Sequence, residues 1–585
     1  MSLMFIPDSQ TVVLNLSDFG GLPSSPDISV ALLKALKLLP ASGGTISIPA
    51  GSYTILNQVA YQMLANQCVV IEGKGNVTIN STVAEPAQES GILQFTGDAA
   101  ASAHLIVRNL TISHNGAALG HVDGIFVQPL NYGHGGTQSL ANIEMDNVRV
   151  SGASYCGANI LGALCGIISN CAMTSNQNGG LFLIGCQALS VVGGNYSSNQ
   201  QALSGYGYGI ACASSGFLPY CKDILIAGAQ VNNNSMEGID AHHAHNVHII
   251  GNTCIGNGLV GIYAVAESTS KDVGDITISD NTVDMTGAGF GGIYTAIKGI
   301  HIGSFGTTGA INPGAFIVTG NKIYGMDSVG SGNQAIRIMT PTSGVTPERV
   351  IIANNTIEHG SDANGYMIFA DANLAIEHLE ISSNILHAAS GAYGIIIQSA
   401  TDVIVADNSI RIDSGASLVN FINVVSGANA NVANNQCNGA VIATPITNTS
   451  STHTLRGNTA NGAIVNDTGF TVDAKGHLIS LATGVPTLSN VNANVSGQAV
   501  IGNDVRGSII FNVVTATIAA GSALFTLVFN QAYANTNFIV ILTNASNQTV
   551  SAFYVTNAKA TSVIIHNAAA LPVANGYAIN YMIIG

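Results

Sequence analysis

Short alternations of apolar and polar residues recur along most of the chain, and each closes near an asparagine. VHIIGNTCI, DITISDNTV, FIVTGNKI, RVIIANNTI, HLEISSNIL and DVIVADNSI show the rule. Such alternation marks strands with one face buried. From Asn252 the asparagines continue at Asn281, Asn321, Asn355, Asn384, Asn408 and Asn435, at intervals of 29, 40, 34, 29, 24 and 27 residues. Intervals in that range belong to solenoids, in which each turn of chain stacks on the last. A second strand stands between these phrases: YGIACA, EGIDAH, VGIYAV, GGIYTA, QAIRIM, YMIFAD and YGIIIQ. Two or three short strands per turn, with Gly and Asn corners and no helical period, describe a right-handed parallel β-helix over residues 61–470. The recurring Asn is expected at a corner, where it tolerates left-handed backbone and bonds the neighbouring coil.

The two ends depart from this pattern. Ser25-Pro26-Asp27 reads as N-cap, first-position proline and first-turn acid of an amphipathic helix, ISVALLKALKLL, with Pro40 just beyond. Within an N-terminal cap of residues 1–60, this helix is expected to cover the open edge of the first coils. After a linker over 471–497, residues 498–585 alternate apolar and polar positions between turn signals. That predicts an antiparallel β-sandwich. The fold class is therefore all-β.

Composition narrows the function. Charged residues are 8% of the 585, and Asp+Glu 31 against Lys+Arg 16 gives a net charge of -15. Nucleic-acid binding needs a basic footprint, and none is visible. No stretch is apolar for 18 residues or more, which gives no reason to expect membrane insertion. The start, MSLMFIPDSQ, lacks the basic and apolar regions of a signal peptide. The nine cysteines are irregularly spaced, and Cys165, Cys186, Cys212 and Cys254 fall at apolar repeat positions. They are expected to be buried free thiols in a chain folded in a reducing cytoplasm.

Candidate chemistry follows from register. With Ile210, Ile239, Ile262, Ile293 and Ile336 pointing inward, the next residue of each strand points outward. The outward column then reads Ala211, Asp240, Tyr263, Tyr294, Arg337, Phe369. In-register stacking sets Asp240 and Arg337 roughly 14 Å apart on one face, with His242 beside Asp240. An acid, an imidazole, two phenols and a guanidinium suit sugar binding and proton transfer. Glu237 is expected at the corner before the strand as a second carboxylate, and Glu267 is an alternative. His243 joins the substrate-binding set, and with His245 it forms an H-x-H pair. No third ligand is evident, so neither a metal nor a cofactor is expected. Loops over 267–274, 298–314 and 340–348 are expected to wall the face.

LNLSDFG and SGGTISIPAGSYTI (residues 14–20 and 42–55), around that helix, resemble the opening of the pectate-lyase-like β-helix superfamily. It includes phage tailspikes, polysaccharide lyases, glycosidases and alginate C5-epimerases. The C-terminal segment resembles modules found on phage tail fibres and tailspikes. EGIDAH is similar to the Y-G-F-D-P-H signature of alginate C5-epimerases, which matches Asp240 and His242 to that family's acid and catalytic histidine. Glu237 stands where that family has tyrosine, and Ala241 where it has proline. Asp123 and the GHG at 133–135 resemble polygalacturonase elements, gathered here in one loop.

These resemblances imply a tailspike-like depolymerase that binds and cleaves a bacterial surface polysaccharide: capsule, exopolysaccharide or O-antigen. They also imply a homotrimer, contact with other phage tail proteins, and a place in the virion tail after cytoplasmic assembly, or else an extracellular one. Glycoside hydrolysis is the first expectation, with Asp240 and Glu237 or Glu267 as acid and base. The alternative is a lyase or C5-epimerase, in which His242 or Tyr263 takes the proton α to a uronate carboxyl neutralised by Arg337. A second alternative is a non-catalytic glycan-binding tail-fibre protein.

Overall fold

The computed structural model describes residues 12–584 except 85–89, 116–120, 135, 201–205, 215–216, 267–273, 290–293, 295, 305–313, 327–331, 340–346, 360–364, 372–375, 389–391, 413–417, 426, 439–441, 449–451, 461–462, 466–469, 473–477, 481–486, 490, 503–505, 529–538, 545–552, 560–561 and 573. It divides into two units, residues 1–461 and 462–585.

In the first unit each coil contributes strands to long parallel sheets. One sheet holds 14 strands among the described residues, from Val59–Gln62 to Ile442–Asn448. A second holds 17 and a third nine. Pairing is in register from coil to coil: Ile239 stands against Ile210 and Ile262, and Val247 against Ile224 and Ile276. Inside runs one continuous core of Ile, Val, Leu and Ala. The ladder begins before residue 61, because Val13–Asn15 pairs with Gly43–Ile55, which pairs in turn with Cys68–Ser81.

A buried asparagine ladder ties the coils together. Asn384 donates its backbone N–H and its side-chain amide to Asn408 Oδ1, at 3.0 and 2.9 Å. The same amide donates to the Ile352 carbonyl. The pattern repeats at Asn252, Asn281, Asn321, Asn355, Asn408 and Asn435, ending on Asn458. The left-handed backbone expected of these asparagines falls one residue earlier. Gly251, Asp280, Gly320, Asn354, Ser383, Asp407, Asn434 and Gly457 all have φ between 56 and 68°. The corner thus uses two adjacent residues: one to turn, one to bond.

The helix spans Ser29–Lys37 and sinks Leu32, Ala35 and Leu36 into the first coils. Its cap differs from the Ser25 expectation. Asp27 accepts the Ser29 N–H at 2.9 Å and those of Leu56 and the Asn57 side chain. One carboxylate thereby serves the helix start and the neighbouring strand end. No described helix is long and apolar enough to cross a membrane, which leaves β-barrels aside.

The second unit contains two four-stranded antiparallel sheets. Phe511, Phe525, Leu527, Ile565, Tyr577 and Ile579 form their shared core. Part of the stretch read as a linker joins this architecture: Thr487–Ser489 pairs with Ala523–Val528, and Phe470–Val472 makes a hairpin with Leu478–Ser480.

Candidate functional site

The site face is the outer surface of the 14-stranded sheet. Here the five strands from Tyr208–Ala213 to Gln334–Met339 follow a phrase of small residue, inward Ile and outward residue, as in Gly238-Ile239-Asp240, Gly261-Ile262-Tyr263 and Ala335-Ile336-Arg337. The small residue is dictated by crowding. A Cβ on Gly238 would lie 2.5 Å from the Gly261 carbonyl, and one on Gly261 2.7 Å from that of Gly299. The outward residues stack as Ala211, Asp240, Tyr263, His301, Arg337, Phe369. Asp240, Tyr263 and Arg337 therefore stand in one column, as their spacing predicted.

Tyr294 does not. Ile300 takes the inward place assigned to Ile293, so His301 occupies the rung between Tyr263 and Arg337. GGIYTAIKGIHIG holds two versions of the phrase, and the second supplies the inward pair, Ile300 and Ile302, both fully buried. Tyr294 lies in the preceding connection, its N–H donating to the Gly289 carbonyl. Ile293 and Glu267 lie outside the described residues.

The same shift turns Lys298 from a loop residue into the start of strand Lys298–Ser304. It belongs to a second outward column, Glu237, Val260, Lys298, Gln334, Tyr366. Glu237 is thus the first residue of strand Glu237–Asp240 rather than a corner residue. In a chain with so few cations, Lys298 beside Arg337 is notable. Requiring an apolar residue two positions after the Ile, present as Ile302 but replaced by Thr295 in the first phrase, would have located both Lys298 and His301. Asp371, just past strand Tyr366–Ala370, carried no sequence signal; it takes an Arg337 Nη2 hydrogen bond at 3.0 Å.

Asp240 is buried, and both of its oxygens lie 2.6 Å from His242 Nδ1. One also accepts the His242 backbone N–H at 3.0 Å. Strand Glu237–Asp240 ends here, and the chain turns at His242 and His243. This lets the imidazole fold back onto the carboxylate two residues earlier. A carboxylate on Nδ1 fixes the tautomer with its proton there and leaves the lone pair on Nε2. The His243 ring stands edge-on to His242 at 4.2 Å. His245 turns to the next sheet, with Nε2 3.4 Å from Asp275. The H-x-H pair therefore does not converge on the column.

His301 is 5% exposed and packs edge-to-face on Tyr263, with centroids 5.1 Å apart. Burial, then the charges of Arg337 and Lys298, holds it well below the usual histidine range, so it is neutral at pH 7. Its Nε2 is buried and has no partner among the described residues. Lys298 is also held low, first by burial and then by Arg337, against the opposite pull of Glu237 and Asp371. Acids, cations and a neutral imidazole thus share one short stretch of rigid sheet.

Two other sequence candidates have structural roles. Asp123 is fully buried and accepts hydrogen bonds from the Cys156 N–H and the Asn159 side chain. His134 is exposed in a turn.

The family model described as a right-handed beta helix region matches residues 45–283. This chain carries a right-handed parallel β-helix. Among solved structures, the A-module of the Azotobacter vinelandii mannuronan C-5 epimerase AlgE6 is similar at 15% identity and a TM-score of 0.40, covering 76% of this chain and 98% of that one. The Dettilon tailspike protein is similar at 12% identity and a TM-score of 0.43, covering 98% and 94%. A mutant tailspike protein of E. coli bacteriophage HK620, in complex with pentasaccharide, gives 14% identity and 0.42, covering 97% and 93%. No curated protein matches the sequence.

Proposed function

We propose that this face of the β-helix processes a uronate-containing bacterial surface polysaccharide by removing the proton α to the sugar carboxylate. The observation that carries the reading is Lys298, which joins Arg337 beside the buried, neutral His301. Hydrolysis was the first expectation because Arg337 stood alone as a cation. With two cations the face is suited to neutralise a uronate carboxylate and the enolate that forms when its α-proton leaves. His242, its tautomer set by Asp240, takes that proton on Nε2. Tyr263, one coil on, gives a proton to the departing glycosidic oxygen; if the sugar is instead reprotonated at carbon, the outcome is epimerisation.

The tail-fibre-like C-terminal segment supports assignment to a homotrimeric phage tail component, with other tail proteins as partners. A second reading, glycoside hydrolysis, is favoured by the burial of both Glu237 and Asp240, 3% and 1% exposed. Two buried carboxyls three residues apart on one strand supply the pair such hydrolysis uses.

Incubation with capsule, O-antigen and polyuronates separates these readings. New reducing ends together with ultraviolet absorbance of an unsaturated uronate are expected. Reducing ends without that absorbance would establish hydrolysis. Unchanged length with inverted uronate stereochemistry would establish epimerisation, and binding without change a non-catalytic glycan receptor.

A further inference from the structure

Upstream of Asp240 the outward column continues through Ala211 and Phe182 to Asn159. Three rungs separate Asn159 from Asp240, roughly 14 Å. Around Asn159 lies a cleft of about 270 Å³ lined by His121, Tyr132, Tyr155 and Phe182. Tyr155 and Phe182 lie with their rings within 26° of parallel, centroids 6.5 Å apart. No lysine or arginine is among the described lining residues.

Asn159 is 3% exposed, and its Oδ1 has no hydrogen-bond partner among the described residues. The orientation of this amide is forced. Its nitrogen donates to Asp123 Oδ2 at 3.2 Å, and a carboxylate can only accept. The carbonyl oxygen is therefore held as a fixed, buried acceptor on a residue that lines the cleft. A buried acceptor without a donor is costly, and a ligand hydroxyl relieves it.

We propose that this cleft is a subsite for a neutral sugar residue of the same polysaccharide, held by a hydroxyl donated to Asn159 Oδ1 and by aromatic faces against its C–H surface. A described lining without lysine or arginine disfavours a uronate there. The cleft is close to the lower limit of small-ligand sites, ~300 Å³, which fits one sugar residue better than a length of chain. Combined with the uronate reading of the Asp240 face, on which this step rests, the substrate is a mixed polymer. Its neutral residue reaches the cleft while its acidic residue lies at Lys298 and Arg337.

Titration calorimetry of the intact chain with cellotetraose, maltotetraose and mannotetraose, and separately with tetragalacturonate, tests this. At least one neutral tetrasaccharide should bind, at least about ten-fold more weakly in Asn159→Leu and in Tyr155→Leu, and unchanged in Lys298→Gln. Tyr155→Leu serves should Asn159→Leu fail to fold. Binding of no neutral tetrasaccharide, or binding that survives both cleft variants, overturns the subsite. Tetragalacturonate binding indifferent to Lys298→Gln overturns the uronate reading and leaves the cleft result standing.

Discussion

His242 Nδ1 sits 2.6 Å from each carboxylate oxygen of Asp240, two residues earlier in the same coil. The carboxylate holds the imidazole in one tautomer. In Asp240→Asn an amide replaces the charge that holds the proton on Nδ1, so turnover should fall by at least about a hundred-fold. An asparagine Oδ1 still accepts the His242 backbone N–H, so the thermal midpoint should change little. Activity assays paired with calorimetric melting check this; undiminished turnover would remove Asp240 from the mechanism.

His301 makes stability depend on pH. Its folded pKa lies below the unfolded value, so between the two the unfolded chain binds more protons. The stabilising contribution is complete above about pH 6.5 and is lost as pH falls below it, by at most about 1.4 kcal/mol per pH unit. His114, lowered mainly by burial, acts in the same direction. Urea unfolding between pH 8 and 5 should show a shallower acid slope in His301→Phe than in the native chain. Parallel profiles would mean that His301 already carries a proton in the fold.

Adjacent corner residues should obey opposite rules. Asn384→Leu strands the amide and N–H of Asn355 and the Ile352 carbonyl, at a cost of about 3 kcal/mol. Its neighbour Ser383, at φ 56°, should accept glycine without loss, whereas valine there should cost about 1–2 kcal/mol. Denaturant midpoints of the three variants give the comparison, and equal effects at both positions would contradict the division of labour.

Thiol reactivity should be confined. Seven of the nine cysteines are buried, and burial pushes the Cys171, Cys254 and Cys437 thiols up to about 12. Cys165, expected inside, is exposed, and Cys68 is half-buried. A thiol reagent should label Cys165 rapidly in the native chain, Cys68 more slowly, and all nine after denaturation. Fast labelling of Cys186 or Cys212 would mean that the coils open.

Much of the architecture was legible because it repeats. Each Ile, Val and Asn of the ladder answers to a neighbour of the same kind, so an error in one phrase is corrected by the next. Where a phrase occurs twice within one coil, repetition stops helping. GGIYT and KGIHI both fit the Ile rule, and only the second inward residue, Ile302 where the first phrase has Thr295, chooses between them. Lys298 and His301 were missed for that reason. Asp371 was invisible because it is set by three-dimensional proximity to Arg337. Ser25 lost the helix cap to Asp27, whose second duty at Leu56 and Asn57 no local pattern reveals.

The amide from Asn281 to Asn321 closes a coil 40 residues around, and the one from Asn435 to Asn458 closes a coil of 23, both at 2.9 Å. Pitch is therefore indifferent to perimeter. An excursion at one corner can grow or shrink, reshaping the outer face beside it, while every rung above and below keeps its station.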